Sequence, residues 1–279
     1  MLNILIAYPY LKKDIAELLK QNEHRVRFLL DSGAFTAWKT GRTITVDEYC
    51  RFIETLPLKP WRYFNLDVIG DGEASFKNYE IMRARGFTPV PIFTRGEKLD
   101  VLEEYYKTSD VVGIGGLVGT KGNKGFVKGI MKQVGSRKVH WLGFNAKDFL
   151  AAYRPYMCDS SSWSSAYRFA SGQVYDRNGR WVRINKAMFA ERPDDRVLQL
   201  VADHGIDPMK LARVDEWRNL RKNGKLSTIL PLTARTWVKY QQDLFQKLNV
   251  NFFLACAADG DVELMLDAHA FWFGRKGVA

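Results

Sequence analysis

Cysteine is scarce in this chain. Three residues among 279, Cys50, Cys158 and Cys256, are widely spaced, odd in number and without a CxxC pair. That pattern excludes a disulfide framework and argues against a zinc knuckle. Long apolar runs are missing as well, and no stretch approaches the ~18 residues that a membrane span requires. Met1 to Tyr10 lack the basic flank and small-residue cleavage site of a signal peptide, and they read as a first strand. A reducing cytoplasm is the expected compartment, with no membrane contact. Histidine is sparse: His24, His140, His204 and His269 show no ligand spacing, so most are read as structural or exposed, with a catalytic one the lesser reading, and no metal is expected. Negative charge is in deficit. Asp and Glu total 31 against 42 Lys and Arg, a net charge of +11 with pI near 9.5. Such a surplus favours a polyanionic partner, most often nucleic acid; a merely solvated basic surface fits the composition equally well.

What is present is globular. Hydrophobic residues at 46% and charged residues at 26% exclude disorder and collagen. From residue 1 to about 160, short apolar runs alternate with amphipathic stretches. The strand-like runs are Asn3–Tyr8, Val26–Asp31, Tyr63–Asp67, Thr88–Phe93, Val111–Gly115, Lys138–Gly143 and Tyr156–Asp159. Helical patterns lie near Lys12–Lys20, Val46–Thr55, Ala74–Arg85, Leu99–Lys107, Gly125–Gln133 and Ala146–Tyr153. Strands apolar on both faces and separated by helices mean parallel βαβ units. A (β/α)8 TIM-type barrel or a doubly wound sheet would follow. The barrel is favoured because Asp31, Asp67, Arg95, Gly115 and Asp159 all sit at strand ends and would share one rim. No eighth strand is placed.

Beyond Asp159 the texture changes. Ser160–Gly172 is rich in Ser and Tyr, and Asn178-Gly179 is a good hairpin turn between Val174-Tyr175 and Trp181–Ile184. Pro208 suits a helix start, and Thr228–Leu248 contains a long amphipathic stretch. The expected division is a barrel core over residues 1–172 and an α-rich, basic C-terminal appendage over residues 173–279, packed on the barrel.

Four sites could carry chemistry. Asp31-Ser32-Gly33-Ala34-Phe35 puts a carboxylate at a strand end, then small residues that let a ligand approach the backbone, then an aromatic for stacking. A helix cap is the competing reading for Asp31 or Ser32. Asp67 also ends a strand and is suited to accept two N–H bonds from a guanine-like edge, with turn capping as the alternative. Asp71 reads as a loop residue or as a cap for Gly72–Arg85. Ile114-Gly115-Gly116-Leu117-Val118-Gly119 exposes backbone N–H groups that bind an oxygen, but it is neither a dinucleotide fingerprint nor a Walker loop. Asp159 is placed to attack an anomeric carbon, or else caps a helix starting in the Ser run.

In this order the pieces resemble the tRNA-guanine transglycosylase superfamily, most closely its DNA 7-deazaguanine transglycosylase branch of phages and bacterial defence clusters. The likeness runs from about Val26 to Asp159 and includes DSGAF, Asp67, IGGLVG, Trp141–Phe144 and Cys158-Asp159. The resemblance implies a (β/α)8 barrel that exchanges guanine in nucleic acid for a free 7-deazaguanine base, without a cofactor. It implies Asp159 as nucleophile and Asp31 as proton carrier. Ser32, Phe35, Asp67, Gly115, Gly116 and Leu142 match base-site residues, and Arg95 (or Thr94) stands where the family has glutamine. The family's zinc site of three Cys and one His is missing, since only Cys256 follows the nucleophile. A zinc subdomain and the dimer built on it are therefore not expected, which leaves a monomer. Arg168 only partly replaces the arginine motif that reads tRNA, so DNA is favoured as partner, with Arg168, Arg177, Arg180 and Arg183 on its phosphates. Exchange on tRNA, a base-excising glycosylase or nucleosidase, and a non-enzymatic nucleic-acid-binding barrel are the other readings.

Overall fold

Parallel strands need crossovers that return the chain along one face, and the alternation of the first half supplies them. The computed structural model describes residues 1–117, 122–222 and 225–274. Seven strands precede residue 161: β1 (Leu2–Ala7), β2 (Val26–Asp31), β3 (Arg62–Tyr63), β4 (Ile92–Thr94), β5 (Val111–Gly115), β6 (Lys138–Trp141) and β7 (Met157–Ser160). Two antiparallel pairs follow, β8 (Ser171–Tyr175) with β9 (Trp181–Asn185) and β10 (Arg221–Lys222) with β11 (Lys225–Leu226). The last strand is β12 (Asn251–Cys256). Eight strands make one sheet in the order β3-β2-β1-β12-β7-β6-β5-β4. It is a mixed α/β architecture on a parallel eight-stranded sheet.

Helices α1 (Lys13–Gln21), α2 (Ala34–Thr40), α3 (Val46–Thr55), α4 (Gly72–Ala84), α5 (Leu99–Thr108), α6 (Asn123–Val134) and α7 (Lys147–Tyr153) lie between the strands. Local chemistry sets their starts. Thr45 caps α3 by accepting the Glu48 N–H at 3.2 Å, and Asp71 caps α4 through the Ala74 N–H at 2.9 Å, the second of its two readings. The buried face of α1 is Ile15, Ala16 and Leu19, the spacing of one helical stripe. The sequence pattern does not show α2, which is short and follows directly on a glycine.

Alternation along the strands builds the core. Leu5, Leu29, Phe64, Val90, Ile92, Val111, Met157 and Phe253 form one buried cluster, with Trp61, Leu142, Tyr156 and Ala255 packed against it. β3 and β4 are shorter than the expected runs Tyr63–Asp67 and Thr88–Phe93. Pro89 and Pro91 have no N–H for a ladder. Pairing there shrinks to a single parallel bridge, Phe64 to Val90, with Val90 N–H on Tyr63 O at 2.8 Å and Asn65 N–H on Val90 O at 3.0 Å. The buried Asn65 side chain supplies a missing rung by accepting the Ile92 N–H at 2.9 Å.

The eighth strand, β12, lies within the region expected to be the appendage. It pairs in parallel with β1 and with β7. The boundary at 172/173 is therefore not where the chain divides. One compact unit comprises Asn3–Ser160 with Phe245–Asp259, and the other comprises Ser161–Leu244 with the chain from Gly260. The physical reason is Asn251-Phe252-Phe253-Leu254, buried throughout, which only the middle of a sheet accommodates.

The second unit holds α8 (Ser165–Phe169), α9 (Lys186–Ala190), α10 (Asp195–Asp203) and most of α11 (Ile229–Leu248) and α12 (Asp259–Phe273). The hairpin β8–β9 has the expected turn, with the Asp176 carboxylate accepting the N–H groups of Asn178 and Arg180. Pro208 starts a short 3-10 turn, Pro208–Ala212. Among the described residues, no helix is long and apolar enough to cross a membrane.

If β12 is a central strand, its core side chains are costly to remove. Phe253 has 0% exposure and its ring stacks on Trp61 with centroids 5.7 Å apart. Phe253→Ala should destabilise the protein by about 3–5 kcal/mol, read as a lower midpoint in urea unfolding. A loss below about 1 kcal/mol would remove β12 from the core.

Candidate active site

Asp31 ends β2, two residues after the core residue Leu29, so its side chain leaves the sheet on the core-facing side. The chain then turns sharply. Gly33 has φ +77°, and a Cβ there would lie 2.2 Å from Pro9 Cδ, so a side chain is excluded on two counts. The turn brings the Gly33 N–H to Asp31 Oδ1 at 2.7 Å. Ser32 is fully buried, accepts the Ala34 N–H at 3.2 Å and donates its own proton to Asp67 Oδ1 at 2.8 Å. The capping reading is thus half true: both residues satisfy N–H groups of the turn, yet Ser32 also ties β2 to Asp67, which lies in the loop four residues past β3 rather than at a strand end.

Burial first, and then the negative charge of Asp67, push the Asp31 carboxyl up to about 7; the Gly33 hydrogen bond opposes this and Asp159 adds a smaller push. Burial raises Asp67 as well, against the Ser32 hydrogen bond. Asp67 caps no helix, because Asp71 does that for α4. Tyr49, which sequence reasoning passed over, donates its hydroxyl to Phe64 O at 3.1 Å. Burial and the charges of Asp31 and Asp67 keep its phenol protonated.

Asp159 lies inside β7 and two residues after Met157 of the core cluster. It does not cap a helix, since the turn that follows begins at Ser161. Its side chain is 14% exposed. Oδ1 accepts the Gly143 N–H at 3.0 Å and meets His140 Nε2 at 3.0 Å. Among the described residues, Oδ2 has no hydrogen-bond partner. His140 has 0% exposure, its ring lies 4.9 Å from that of Phe64, and its Nδ1 is buried without a partner. An unpartnered acceptor nitrogen costs ~1–3 kcal/mol, and a buried unpaired N–H with a charge costs more. A hydrogen bond from Nε2 to the carboxylate therefore requires the ring proton to be on Nε2. The sequence reads most of the histidines as structural or exposed; His140 is the one that meets a candidate carboxylate. The available signal was parity within the expected run Lys138–Gly143, which puts His140 and Leu142 on one face; the register of His140 against Met157 is set by pairing alone.

The other expected residues scatter more. A Cβ on Gly115 would meet Ile92 Cγ2 at 2.9 Å, and Gly116 has φ +71°, so both positions need glycine. Val118 and Gly119 of the same motif lie outside the described residues. Leu142 is half-buried on the core cluster and donates its N–H to Ile114 O at 3.2 Å. Arg95 is exposed after β4, with its guanidinium 5.5 Å from the Phe126 ring centroid. Phe35 on α2 is 39% exposed, with Lys39 Nζ 4.7 Å from its ring centroid. Trp38, not singled out in the sequence, is 60% exposed and lies 6.0 Å from Phe35. A hollow of about 220 Å³ runs from Trp38 and Arg42 to Asp67.

Arg168, Arg177, Arg180 and Arg183 are exposed and belong to the second unit. Arg177 lies 3.6 Å from Asp203. Trp181, on the same hairpin arm as Arg183, packs its ring among Tyr175, Trp237 and Tyr240 at 4.8–5.1 Å. Among the described residues, no group of three or more His, Cys, Asp or Glu side chains could hold a metal ion. Compared with protein-family models, curated proteins and solved structures, the chain matches none.

The raised Asp31 carboxyl has a thermodynamic signature. An unfolded aspartate ionises near 3.8 and the folded one near 7, so the folded state holds the extra proton between those values. Stability from this group is full below the lower value and is lost as pH rises through the upper one. Asp31→Asn should therefore gain stability relative to wild type between about pH 4 and about pH 8 in parallel urea titrations. A difference that stays flat across that window would mean an ordinary carboxylate.

Proposed function

We propose that this protein is a base-exchanging transglycosylase that replaces guanine in DNA with a free 7-deazaguanine base, such as the 7-cyano form. The observation that carries the reading is a division of labour between two carboxylates. Asp31 is pushed to about 7 and keeps a proton near neutrality, whereas Asp159 takes two hydrogen bonds on one oxygen and leaves the other for attack. Carboxylates in contrasting environments are what retaining glycosyl transfer uses.

Asp159 Oδ2 attacks C1′ and the bond from C1′ to guanine N9 breaks, its electron pair leaving with the base as Asp31 donates a proton. The incoming 7-deazaguanine then gives its N9 proton to Asp31 and attacks C1′, and Asp159 leaves as the carboxylate. Asp67, aligned by Ser32, accepts the N–H edge of the base. Phe35 and Leu142 face its two sides, and Gly115, Gly116 and Arg95 lie towards its carbonyl. Arg168, Arg177, Arg180 and Arg183 hold phosphates. The target guanine must leave the stack, at a few kcal/mol in duplex DNA. The Phe64–Val90 bridge, just past β3 and just before β4, supports reading the sheet as a closed (β/α)8 barrel.

Incubation with DNA or tRNA and labelled 7-deazaguanine tests this directly. Incorporation into DNA is the expected result; base loss without incorporation means a glycosylase, transfer to tRNA alone means the other substrate, and retention without chemistry means a binding protein. Asp159→Asn should abolish exchange and leave DNA affinity unchanged, because the amide has the same shape but is a poor nucleophile.

Base recognition is tested separately by calorimetry. Asp67→Ala should weaken binding of the free base by up to roughly 10⁴-fold while DNA affinity holds. Unchanged base affinity would leave Asp67 as a partner of Ser32 and nothing more.

A further inference from the structure

We propose that His140 is the positioning residue of the nucleophile: a neutral imidazole whose Nε2–H holds Asp159 Oδ1 and turns Oδ2 towards the sugar. The kinetic part of this inference rests on the transglycosylase reading above. The hydrogen bond itself does not.

Two donors converge on a single carboxylate oxygen. His140 Nε2 and the Gly143 N–H each lie 3.0 Å from Asp159 Oδ1. Carboxyl rotation about the last side-chain bond is otherwise broad and two-fold, so either oxygen would face the substrate. With both donors on Oδ1 one orientation is held, and the geometry of attack is prepaid. The donors come from the same stretch of chain. His140 is in β6, Gly143 follows it with φ +63°, and Asp159 is on β7, the strand that β6 pairs with. A shift of one residue in that pairing would turn the carboxylate to the other face of the sheet.

A structural explanation for His140 is poor. The ring is completely buried against Phe64, and its Nδ1 finds no partner. Methionine or leucine would fill the same space without an unsatisfied atom. What neither supplies is a donor at the carboxylate. The imidazole also suits both states of the reaction. When Oδ2 becomes the ester oxygen, Oδ1 becomes the ester carbonyl and still accepts the N–H. When the second base displaces the sugar, the returning negative charge meets two donors already in place. His140 itself gains and loses no proton.

Two measurements test this. In ¹⁵N-labelled wild-type protein, the His140 ring should show a protonated Nε2 and a bare Nδ1. The opposite tautomer, or a doubly protonated ring, overturns the proposal whatever the activity proves to be. In exchange assays, His140→Met fills the volume without a donor and should lower kcat by about 100-fold, with KM for DNA and base little changed. His140→Gln places an amide N–H near the position of Nε2 and should recover most of that loss. Equal losses in the two variants, a change confined to KM, or wild-type exchange by His140→Met would each overturn the positioning role. If the wild type exchanges no base on DNA or tRNA, the transglycosylase reading fails instead, and the ring spectrum still decides the hydrogen bond.

Discussion

All eight strands of the sheet run in one direction, and the chemistry depends on that constraint. Parallel strands place every C-terminal end on the same side, so residues at and beyond those ends share one edge of the sheet. Asp31, Asp67, Gly115 and Asp159 belong to four separate stretches of chain, yet share that side of the sheet. Period-two alternation completes the arrangement. Leu29 and Met157 go to the common core, and two residues later Asp31 and Asp159 leave the sheet on the same face.

Gathering carboxylates is unfavourable, and the site manages the repulsion unevenly. Asp31 meets it with a raised affinity for its proton, Asp67 with a hydrogen bond from a buried serine, and Asp159 with two N–H donors. Each solution is set by one or two neighbours. Gly33 can turn only because it has no side chain to strike Pro9, and that turn supplies the N–H to Asp31. A fold selected for stability alone would put apolar residues here. Concentrating such costs at one end of a sheet is the physical ground for placing the proposed chemistry there.

The proposed exchange asks for no more than these groups provide: a proton held near neutrality, a carboxylate oxygen free to attack, and an acceptor pair for a base edge. Trp38 lines the hollow that reaches Asp67, and Phe35 lies beside it as a second exposed ring. The proposed exchange gives the exposed arginines of the second unit a different task, charge against phosphate. Their net excess is a property of composition rather than of any one geometry.

Much of the first half was legible in advance because its signals are local. Apolar runs bounded by amphipathic stretches mark β1, β2, β5, β6 and β7 within a residue or two, and the Asn178-Gly179 turn marks its hairpin. The carboxylates at the strand ends could be named for the same reason, since position along a strand is a property of the chain. What sequence left open were pairings. Asn251–Cys256 is an apolar run like many others; only the gap between β1 and β7 makes it a strand of this sheet. His140 reads as a structural histidine until the register of β6 against β7 sets it beside Asp159. The prolines at 89 and 91 are visible, but not that one bridge and the Asn65 side chain replace the ladder they interrupt. Composition and periodicity, then, determined the alternating α/β class, the strand ends and the excess of positive charge, because each follows from neighbours along the chain. The tertiary structure alone decided which strand is the eighth, which histidine holds a carboxylate and which aspartate keeps its proton, because burial and pairing join residues that are distant in sequence.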